Sequence, residues 1–392
     1  MLTIEENELL TRVGQGTPAG ELLRRYWHPV AVLQELTSDN PTRFVRLLGE
    51  DLVLFKDRGG RVGLLADHCS HRGASLLYGR VEERGIACAY HGWLYDTAGD
   101  CLECPAEPAD SRFHVTVKHR AYPVQTFMGM YWAYLGPAPA PVIPRYDVWA
   151  RTDGTRHIQV HPLIDCNWFQ ATENSVDPAH LQILHQEITG RGRTAPSTTR
   201  GFTDDIERFD FYVFPHGIIK RRQYKTGVVD EHPLLFPTVL RVNNSTEIRV
   251  PIDDTHMTIF EPYFLPSDDG SAVEQPDELP VGYIAPFKDP PDALHPFTRF
   301  RWDQVPAQDA WAWETQGPIA DREHERLATS DRGVVLLREV MKEQIERVQR
   351  GLDPLGVIRD PDHELIDTRL GETLELMRRR SSGAQVAELA QT

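Results

Sequence analysis

No run of apolar residues in this chain approaches the ~18 that a membrane-crossing helix needs. The start, Met1 to Gly16, carries Glu5, Glu6 and Glu8 where a secretory leader would place basic and then apolar residues. From these two absences no membrane partner is expected, and the cytoplasm is the expected compartment. Positive charge is also short, with 42 Lys and Arg against 58 Asp and Glu for a net charge of -16. Phosphate binding needs a basic surface, and no basic block with interleaved aromatics occurs, so no nucleic-acid partner is expected. Cysteine is scarce and odd in number, five in 392 residues, which argues against a disulfide framework and for metal ligation. No internal repeat is found. What remains is a globular composition, 40% hydrophobic and 26% charged, in a chain long enough for two or three domains.

The fold class expected is α+β. Residues 1–26 read as a helical segment, with Leu9, Leu10 and Val13 on one face, leading into Glu21 to Tyr26. Short β-like runs follow at Phe44–Leu48, Leu52–Phe55, Val62–Ala66, Ile86–Tyr90 and Val115–Val124, giving a small all-β domain over 27–136. The proline-rich stretch from Gly136 to Pro144 marks a stiff linker, 137–149, and 150–392 forms a second domain. There a helical segment at Trp168–His185 precedes strands at Phe209–Phe214, Gly217–Tyr224, Thr238–Val242, Thr246–Val250 and His256–Tyr263. A last helix, capped by Ser330 or Asp331, stripes Val334, Leu337, Met341, Ile345 and Val348 and stops at Gly351; a loose tail is expected after Arg380.

Cys69-Ser70-His71-Arg72-Gly73 and Cys88-Ala89-Tyr90-His91-Gly92-Trp93 each offer one cysteine and one histidine. A tetrahedral zinc site of that composition usually keeps its cysteines in one pair and its histidines in the other. One of each per loop fits a Rieske [2Fe-2S] cluster, in which the two cysteines hold one iron and the two histidines the other. Cys69, His71, Cys88 and His91 are therefore the expected cluster ligands. Cys101 and Cys104 form a lone CxxC without a second half and read as structural, and Cys166 reads as an ordinary buried thiol.

A second constellation runs from Glu173 to His185 and includes Asn174, Asp177, His180 and His185. If the helix restarts here, Asp177 caps it with Pro178 in the first position; if it runs through, Asn174, Asp177 and His180 share a face. His180 and His185 stand about 140° apart on a regular helix, so both reach one metal only if the helix is distorted or ends between them. Two histidines and a carboxylate make the facial triad of non-haem ferrous oxygenases, and the acid must come from elsewhere in the chain.

With both motifs in view, the chain resembles the oxygenase (alpha) components of Rieske non-haem iron aromatic ring-hydroxylating oxygenases. Four further stretches, Glu6–Gly14, Leu22–Trp27, Pro251–His256 and Gln308–Gly317, are similar to the phthalate dioxygenase and dehydrodivanillate O-demethylase branch. The resemblance implies a Rieske domain on a helix-grip (START-like) catalytic domain with a curved antiparallel sheet. It implies His180, His185 and Asp309 as ligands of a mononuclear Fe(II), with Glu314 as the alternative acid. Asp177 and Asn174 are implied as catalytic residues, Asp177 linking the iron site to His91 of a neighbouring subunit in a homotrimer or a multiple of trimers. O2 is the implied co-substrate, with electrons coming from NAD(P)H through a reductase, possibly with a ferredoxin.

The expected reaction is monooxygenation or O-demethylation of a small aromatic substrate, a carboxylated one by the habit of the branch. Ring cis-dihydroxylation is the alternative, and electron transfer without oxygen chemistry the third reading. Lys220-Arg221-Arg222 lies on an expected strand, so alternation sends either Arg221 or the Lys220/Arg222 pair inward, where it could meet a carboxylate. A solvated charge run is the reading preferred from sequence.

Overall fold

The structure, a computed structural model, describes residues 1–185, 206–294 and 298–368. The tail expected to be loose lies outside the described residues. The amino-terminal segment forms two helices, α1 (Ile4–Thr11) and α2 (Pro18–Leu23). Thr3 and Glu6 close a capping box on α1, each side chain accepting from the other's amide, at 3.1 and 2.9 Å. Thr17 caps α2, with Pro18 in its first turn. Leu10, Val13, Leu22 and Leu23 are fully buried.

Eleven strands follow: β1 (Trp27–Val32), β2 (Thr42–Leu47), β3 (Glu50–Lys56), β4 (Val62–Ala66), β5 (Arg80–Glu82), β6 (Gly85–Ala87), β7 (Leu94–Tyr95), β8 (Cys101–Glu103), β9 (Ala121–Tyr122), β10 (Val124–Phe127) and β11 (Met130–Tyr134). They build three antiparallel sheets, ordered β1-β11-β10, β2-β3-β4-β9 and β5-β6-β7-β8. Two expected strands change. The run Ile86–Tyr90 stops at Ala87, because Cys88 to His91 turn out of the sheet. The run Val115–Val124 is largely a 3-10 turn at Phe113–Thr116 and irregular chain before β9. β1 went unread because it buries all six residues and contains Pro29, so neither alternation nor composition marks it.

The proline-rich stretch is extended but tied down. Val142 bridges Ile358, Tyr146 bridges Ile366, and the Trp27 indole donates to the Pro141 carbonyl at 2.8 Å. After the short helix α3 (Asp147–Ala150) comes one large sheet of β12 (Gly154–Val160), β13 (Ile206–Phe214), β14 (Gly217–Tyr224), β15 (Val229–Leu235), β16 (Val239–Val242), β17 (Ser245–Pro251), β18 (Met257–Pro266) and β19 (Val281–Tyr283). Its order is β13-β14-β15-β16-β17-β18-β12-β19, antiparallel except for the β12–β19 pair. Helices α4 (Trp168–Ser175), α5 (Ala179–Ile183), α6 (Val305–Glu314) and α7 (Arg332–Gln349) belong to the same half of the chain. Lys220 on β14 donates to the Asp177 carbonyl at 3.2 Å and Arg249 on β17 reaches the Ser175 hydroxyl, so the α4–α5 junction lies on that face of the sheet. The opposite face carries Thr246, which accepts from the Trp149 indole at 2.8 Å. This is the helix-grip arrangement. The α7 stripe Val334, Leu337, Met341, Ile345 and Val348 is buried as expected. Asp331 precedes α7, but its carboxylate accepts from the Ala328 amide rather than capping the helix.

A continuous core runs from Leu2 through β1 and β11 to the large sheet and α7, and a second, smaller core holds Cys69, Cys88, Cys101 and Cys104 with Phe55, Leu65, Ile86 and Tyr95. Glu173 on α4 keys the helices together. It accepts from Arg322 Nη2 at 2.6 Å and Arg338 Nε at 2.7 Å, and Arg322 also donates to Asn7 on α1 at 2.9 Å. Removing Glu173 leaves the buried Arg322 without a carboxylate and Arg338 with Glu325 alone. Glu173→Ala is therefore expected to lower unfolding stability by about 3–5 kcal/mol, read as a lower urea midpoint at unchanged slope.

Candidate active site and metal centres

The first candidate site sits on two loops with the same internal wiring. In each, the glycine four residues after the cysteine donates its amide to the cysteine carbonyl at 2.8 Å: Gly73 to Cys69, and Gly92 to Cys88. Both glycines are left-handed, at φ 74 and 73, where a side chain would be strained. The His68–Ser75 bridge closes the first loop, and the β6–β7 pair closes the second. The loops bring Cys69 and Cys88 together in the small core, 3% and 2% exposed, while His71 and His91 stand half-exposed with ring centres 4.4 Å apart. Trp93 stacks on His71 at 4.4 Å, and the Tyr95 hydroxyl lies 3.2 Å from Cys69 Sγ.

Burial and the neighbouring Cys88 push the Cys69 thiol's pKa up against the Tyr95 hydrogen bond, and His71 Nδ1 is buried without a partner among the described residues. Two crowded sulfurs and an unpartnered imidazole nitrogen fit a [2Fe-2S] cluster, since bound iron would hold the thiolates and fill that nitrogen's lone pair. Cys101 and Cys104 lie in the same core, unbonded with sulfurs 3.6 Å apart, and burial pushes the Cys101 thiol's pKa up to about 12. That makes them packing residues rather than reactive ones.

The second candidate site is made where the helix breaks. α4 ends at Ser175, Asp177 accepts from the Ala179 amide at 2.7 Å, and α5 restarts, so Asp177 caps as the first of the two sequence readings held. α5 ends at Ile183, and His185 lies past the end of that helix, which meets the requirement their five-residue spacing imposed. His180, His185 and Asp309, from α6, then converge, with one ligand atom of each within 4.8 Å of the others. Asp309 Oδ1 lies 3.4 Å from His185 Nε2 and 4.0 Å from His180 Nε2, and among the described residues it has no hydrogen-bond partner. Three convergent donors around an unsatisfied buried carboxylate oxygen fit a divalent cation.

The far nitrogens of both imidazoles are turned away from this centre. His185 Nδ1 lies 3.0 Å from Gln308 Oε1, and Gln308 Nε2 donates to the Trp302 carbonyl at 2.9 Å. The amide is thereby oriented to accept, which puts the proton on Nδ1 and the lone pair on Nε2. His180 Nδ1 lies 3.3 Å from Asp177 Oδ2, within ion-pair reach although not aligned as a hydrogen bond. Burial lowers the pKa of His180 despite Asp177 and Asp309, whereas in His185 Asp309 outweighs burial and the pKa rises. Gln170 on α4 fixes α6 by donating to the Trp313 and Gly317 carbonyls at 2.8 and 3.0 Å, which holds Asp309 opposite the histidines.

Not every sequence candidate joins this centre. The Asn174 carbonyl accepts the Asp177 amide at 3.1 Å, but among the described residues its side chain makes no hydrogen bond. Glu314 is paired with Lys288 instead. The charge run is not solvated: Lys220 and Arg222 are 2% and 4% exposed on the helix-covered face, because alternation turns both inward and only Arg221 outward. Sequence reasoning missed the role of Gln308, although it sat in a quoted motif. It also missed Glu247, Glu261 and His161 on the same sheet face, for which only the charged alternate positions of β17 gave a signal.

Residues 26–127 match the Rieske [2Fe-2S] domain family, and residues 297–366 match the family described as LigXa C-terminal domain like. The oxygenase subunit of 5,5'-dehydrodivanillate O-demethylase from Sphingobium sp. (strain NBRC 103272 / SYK-6) is 38% identical over 92% of this chain and 84% of its own length. The chain belongs to the Rieske non-haem iron oxygenases. The phthalate 4,5-dioxygenase oxygenase subunit of Pseudomonas putida is 36% identical over 91% of this chain and 89% of its own length. Two solved structures share the fold. Pseudomonas putida CBB5 NdmA has a TM-score of 0.62 at 23% identity, covering 88% of this chain and 98% of that one. The oxygenase in a ferredoxin complex of carbazole 1,9a-dioxygenase has a TM-score of 0.63 at 21% identity, over 88% and 94%.

As a Rieske oxygenase, the protein uses a [2Fe-2S] cluster, a mononuclear iron, O2 and reductase-supplied electrons. Oxygenase components of this family work with reductase or ferredoxin partners and multimerise. No helix among the described residues is long and apolar enough to cross a membrane.

Proposed function

We propose that this Rieske oxygenase oxidises an aromatic carboxylate by monooxygenation, as an O-demethylase that releases formaldehyde from a methoxy substituent. The observation that carries the reading is the convergence of His180, His185 and Asp309 around an unsatisfied carboxylate oxygen, in a chain 38% identical to an O-demethylase subunit. In this reading Cys69, His71, Cys88 and His91 hold the cluster, and His180, His185 and Asp309 hold the mononuclear iron. The bound metals supply dioxygen activation with electrons delivered one at a time. Gln308 holds the proton on His185 Nδ1, and Asp177 orients His180.

The half-exposed His91 and the Asp177 carboxylate, 26% exposed, would meet across a subunit boundary, with Asp177 facing His91 of the partner subunit in a homotrimer. Asn174 supports this link through its backbone carbonyl. The division into 1–26, 27–136, 137–149 and 150–392 is supported by the change from three small sheets to one large one across the prolines. The cytoplasm is the proposed compartment.

Lys220 is proposed to meet the substrate carboxylate. It is buried on the helix-covered face, and burial, with Arg222 nearby, brings its pKa down to about 7. Below that pH it is charged, and above it is neutral, so anion binding is lost as pH rises through about 7. For a benzoate-type substrate kcat/KM, which reports the free enzyme, is expected to fall from pH 6 to 8, and Lys220→Met is expected to raise KM about tenfold and flatten that slope. A steady-state oxygen-uptake series checks both.

A dioxygenase reading is favoured by the 36% identity to the phthalate enzyme, and product analysis separates the two. Formaldehyde and a phenol from a methoxybenzoate support O-demethylation; a cis-diol with the methoxy group intact would overturn it.

A further inference from the structure

Of the seven arginines buried among the described residues, six form an ion pair with a carboxylate. Arg156, on β12 and 5% exposed, is the exception. Its Nε, Nη1 and Nη2 donate to the Val148 carbonyl, Gln275 Oε1 and the Arg151 carbonyl at 2.8, 2.7 and 2.5 Å, which orders the guanidinium without neutralising it. Asp153 and Asp147, the acids whose charge reaches it, are paired with Arg151 and Arg241 instead. Arg151 also shares the Phe264 ring with Arg156, their guanidinium carbons lying 4.7 and 4.8 Å from its centre. Burial, with Arg151 beside it, brings the pKa of Arg156 down to about 10, so it is still a cation at neutral pH. A buried charge without a counter-charge is a cost to the fold that a bound anion would remove.

Arg156 lines a cleft of about 700 Å³ between the two halves of the chain, a size within the range of small-molecule sites. The cluster-bearing half contributes apolar lining at Leu33, Phe127 and Met128, and the other side contributes Arg145, Arg151 and Arg156. Arg145 and Lys56, which also lines the cleft, are exposed, and neither side chain has an ion-pair partner among the described residues. Two exposed acids on the loop before β19, Asp277 and Glu278, oppose them. Lys56, Arg145 and Arg156 against Asp277 and Glu278 leave an excess of one positive charge. The cleft is not part of the iron site. On β18, Phe264 pairs with Arg156 and Phe260 with Ile248, so Arg156 shares the Ile248 face of the sheet, whereas Arg249 reaches α4 from the other face. The large sheet therefore stands between this cleft and the triad.

We propose that this cleft is a second ligand site, one that takes an amphipathic monocarboxylate with its head on Arg156 and Arg145 and its apolar body against Leu33, Phe127 and Met128. Nη1 and Nη2 of Arg156 each keep one N–H without an acceptor among the described residues, and a carboxylate has the two oxygens to meet them. A phosphate monoester, close to doubly charged at neutral pH, exceeds the single positive charge left over and fits less well. A ligand held here touches both halves of the chain and ties the cluster-bearing half to the catalytic one. The site is independent of the aromatic-acid reading above, since no group in it faces the iron centre.

The test is calorimetric titration of the iron-loaded enzyme with octanoate, and with 1-octanol as the same body without the charge. Octanoate is expected to bind about tenfold more tightly than octanol, and Arg145→Glu and Arg156→Met are each expected to weaken it about tenfold. Lys220→Met, which changes the iron-facing side of the sheet, is expected to leave octanoate affinity unchanged. No binding of octanoate, equal affinity for octanol, or an affinity that survives Arg145→Glu would overturn the assignment. A loss of affinity in Lys220→Met would overturn it as well, by placing octanoate on the iron side of the sheet. Arg145 is exposed, so its variant decides even if Arg156→Met does not fold.

Discussion

Replacing His180 by alanine is expected to lower the iron content from about three to about two atoms per chain and to abolish oxygenation, while acid-labile sulfide stays at about two. The triad offers one nitrogen from each histidine and one oxygen from Asp309, and without His180 only two donors remain. Two donors, one imidazole and one carboxylate, do not give a divalent iron the three-point facial geometry that holds it at micromolar concentration. The dithionite-reduced protein should still give a Rieske-type EPR signal, because the cluster loops rest on their own core with Phe55, Leu65 and Tyr95, away from α5. Retained iron with retained turnover would remove His180 from the site.

The cluster loops were legible because their chemistry is local. One cysteine and one histidine per loop, each followed by a glycine, specify both ligand type and turn, and Gly73 and Gly92 adopt the same left-handed conformation. The iron triad was legible only in part. The separation of His180 and His185 demanded a break in the helix, and the structure ends α5 at Ile183. Asp309 stands far away in sequence and is set in place by Gln170, whose bonds to the Trp313 and Gly317 carbonyls no periodicity announces. The carboxylate could be suggested by resemblance, but its position is a tertiary fact.

The misses have a common cause, which is burial that sequence patterns do not register. β1 is buried on both faces and contains Pro29, so it shows neither alternation nor an unbroken β-like run. Lys220 and Arg222 were weighed as surface charge because such residues rarely lie inside. They are buried because β14 is an interior strand, and Asp230 on the neighbouring β15 pairs with Arg222 on the same helix-covered face. The same reasoning applies to Glu173, a helix acid whose two guanidinium partners come from the other end of the chain.

Asp177→Asn is expected to leave both metals in place and to slow turnover about 100-fold, because it removes the charge of the carboxylate beside the outer nitrogen of His180. The asparagine oxygen can still accept from the Ala179 amide, so the restart of α5 and the placing of His180 survive. What is lost is the carboxylate 3.3 Å from His180 Nδ1. Burial works to raise the pKa of Asp177, but His180, the Ala179 amide and Lys220 hold it below the ordinary value, so the wild-type group is ionised at neutral pH and the variant differs in charge there. A carboxylate makes the imidazole a better donor and, in the proposed trimer, would offer a polar path to the partner subunit's His91; a neutral amide would do neither as well. Stopped-flow absorbance separates the steps. Reduction of the cluster by the reductase should proceed at the wild-type rate, and only its reoxidation by substrate and O2 should slow. If reoxidation kept the wild-type rate, Asp177 would be a helix cap and no more, and the electron path between the two metal centres would have to be sought in other residues.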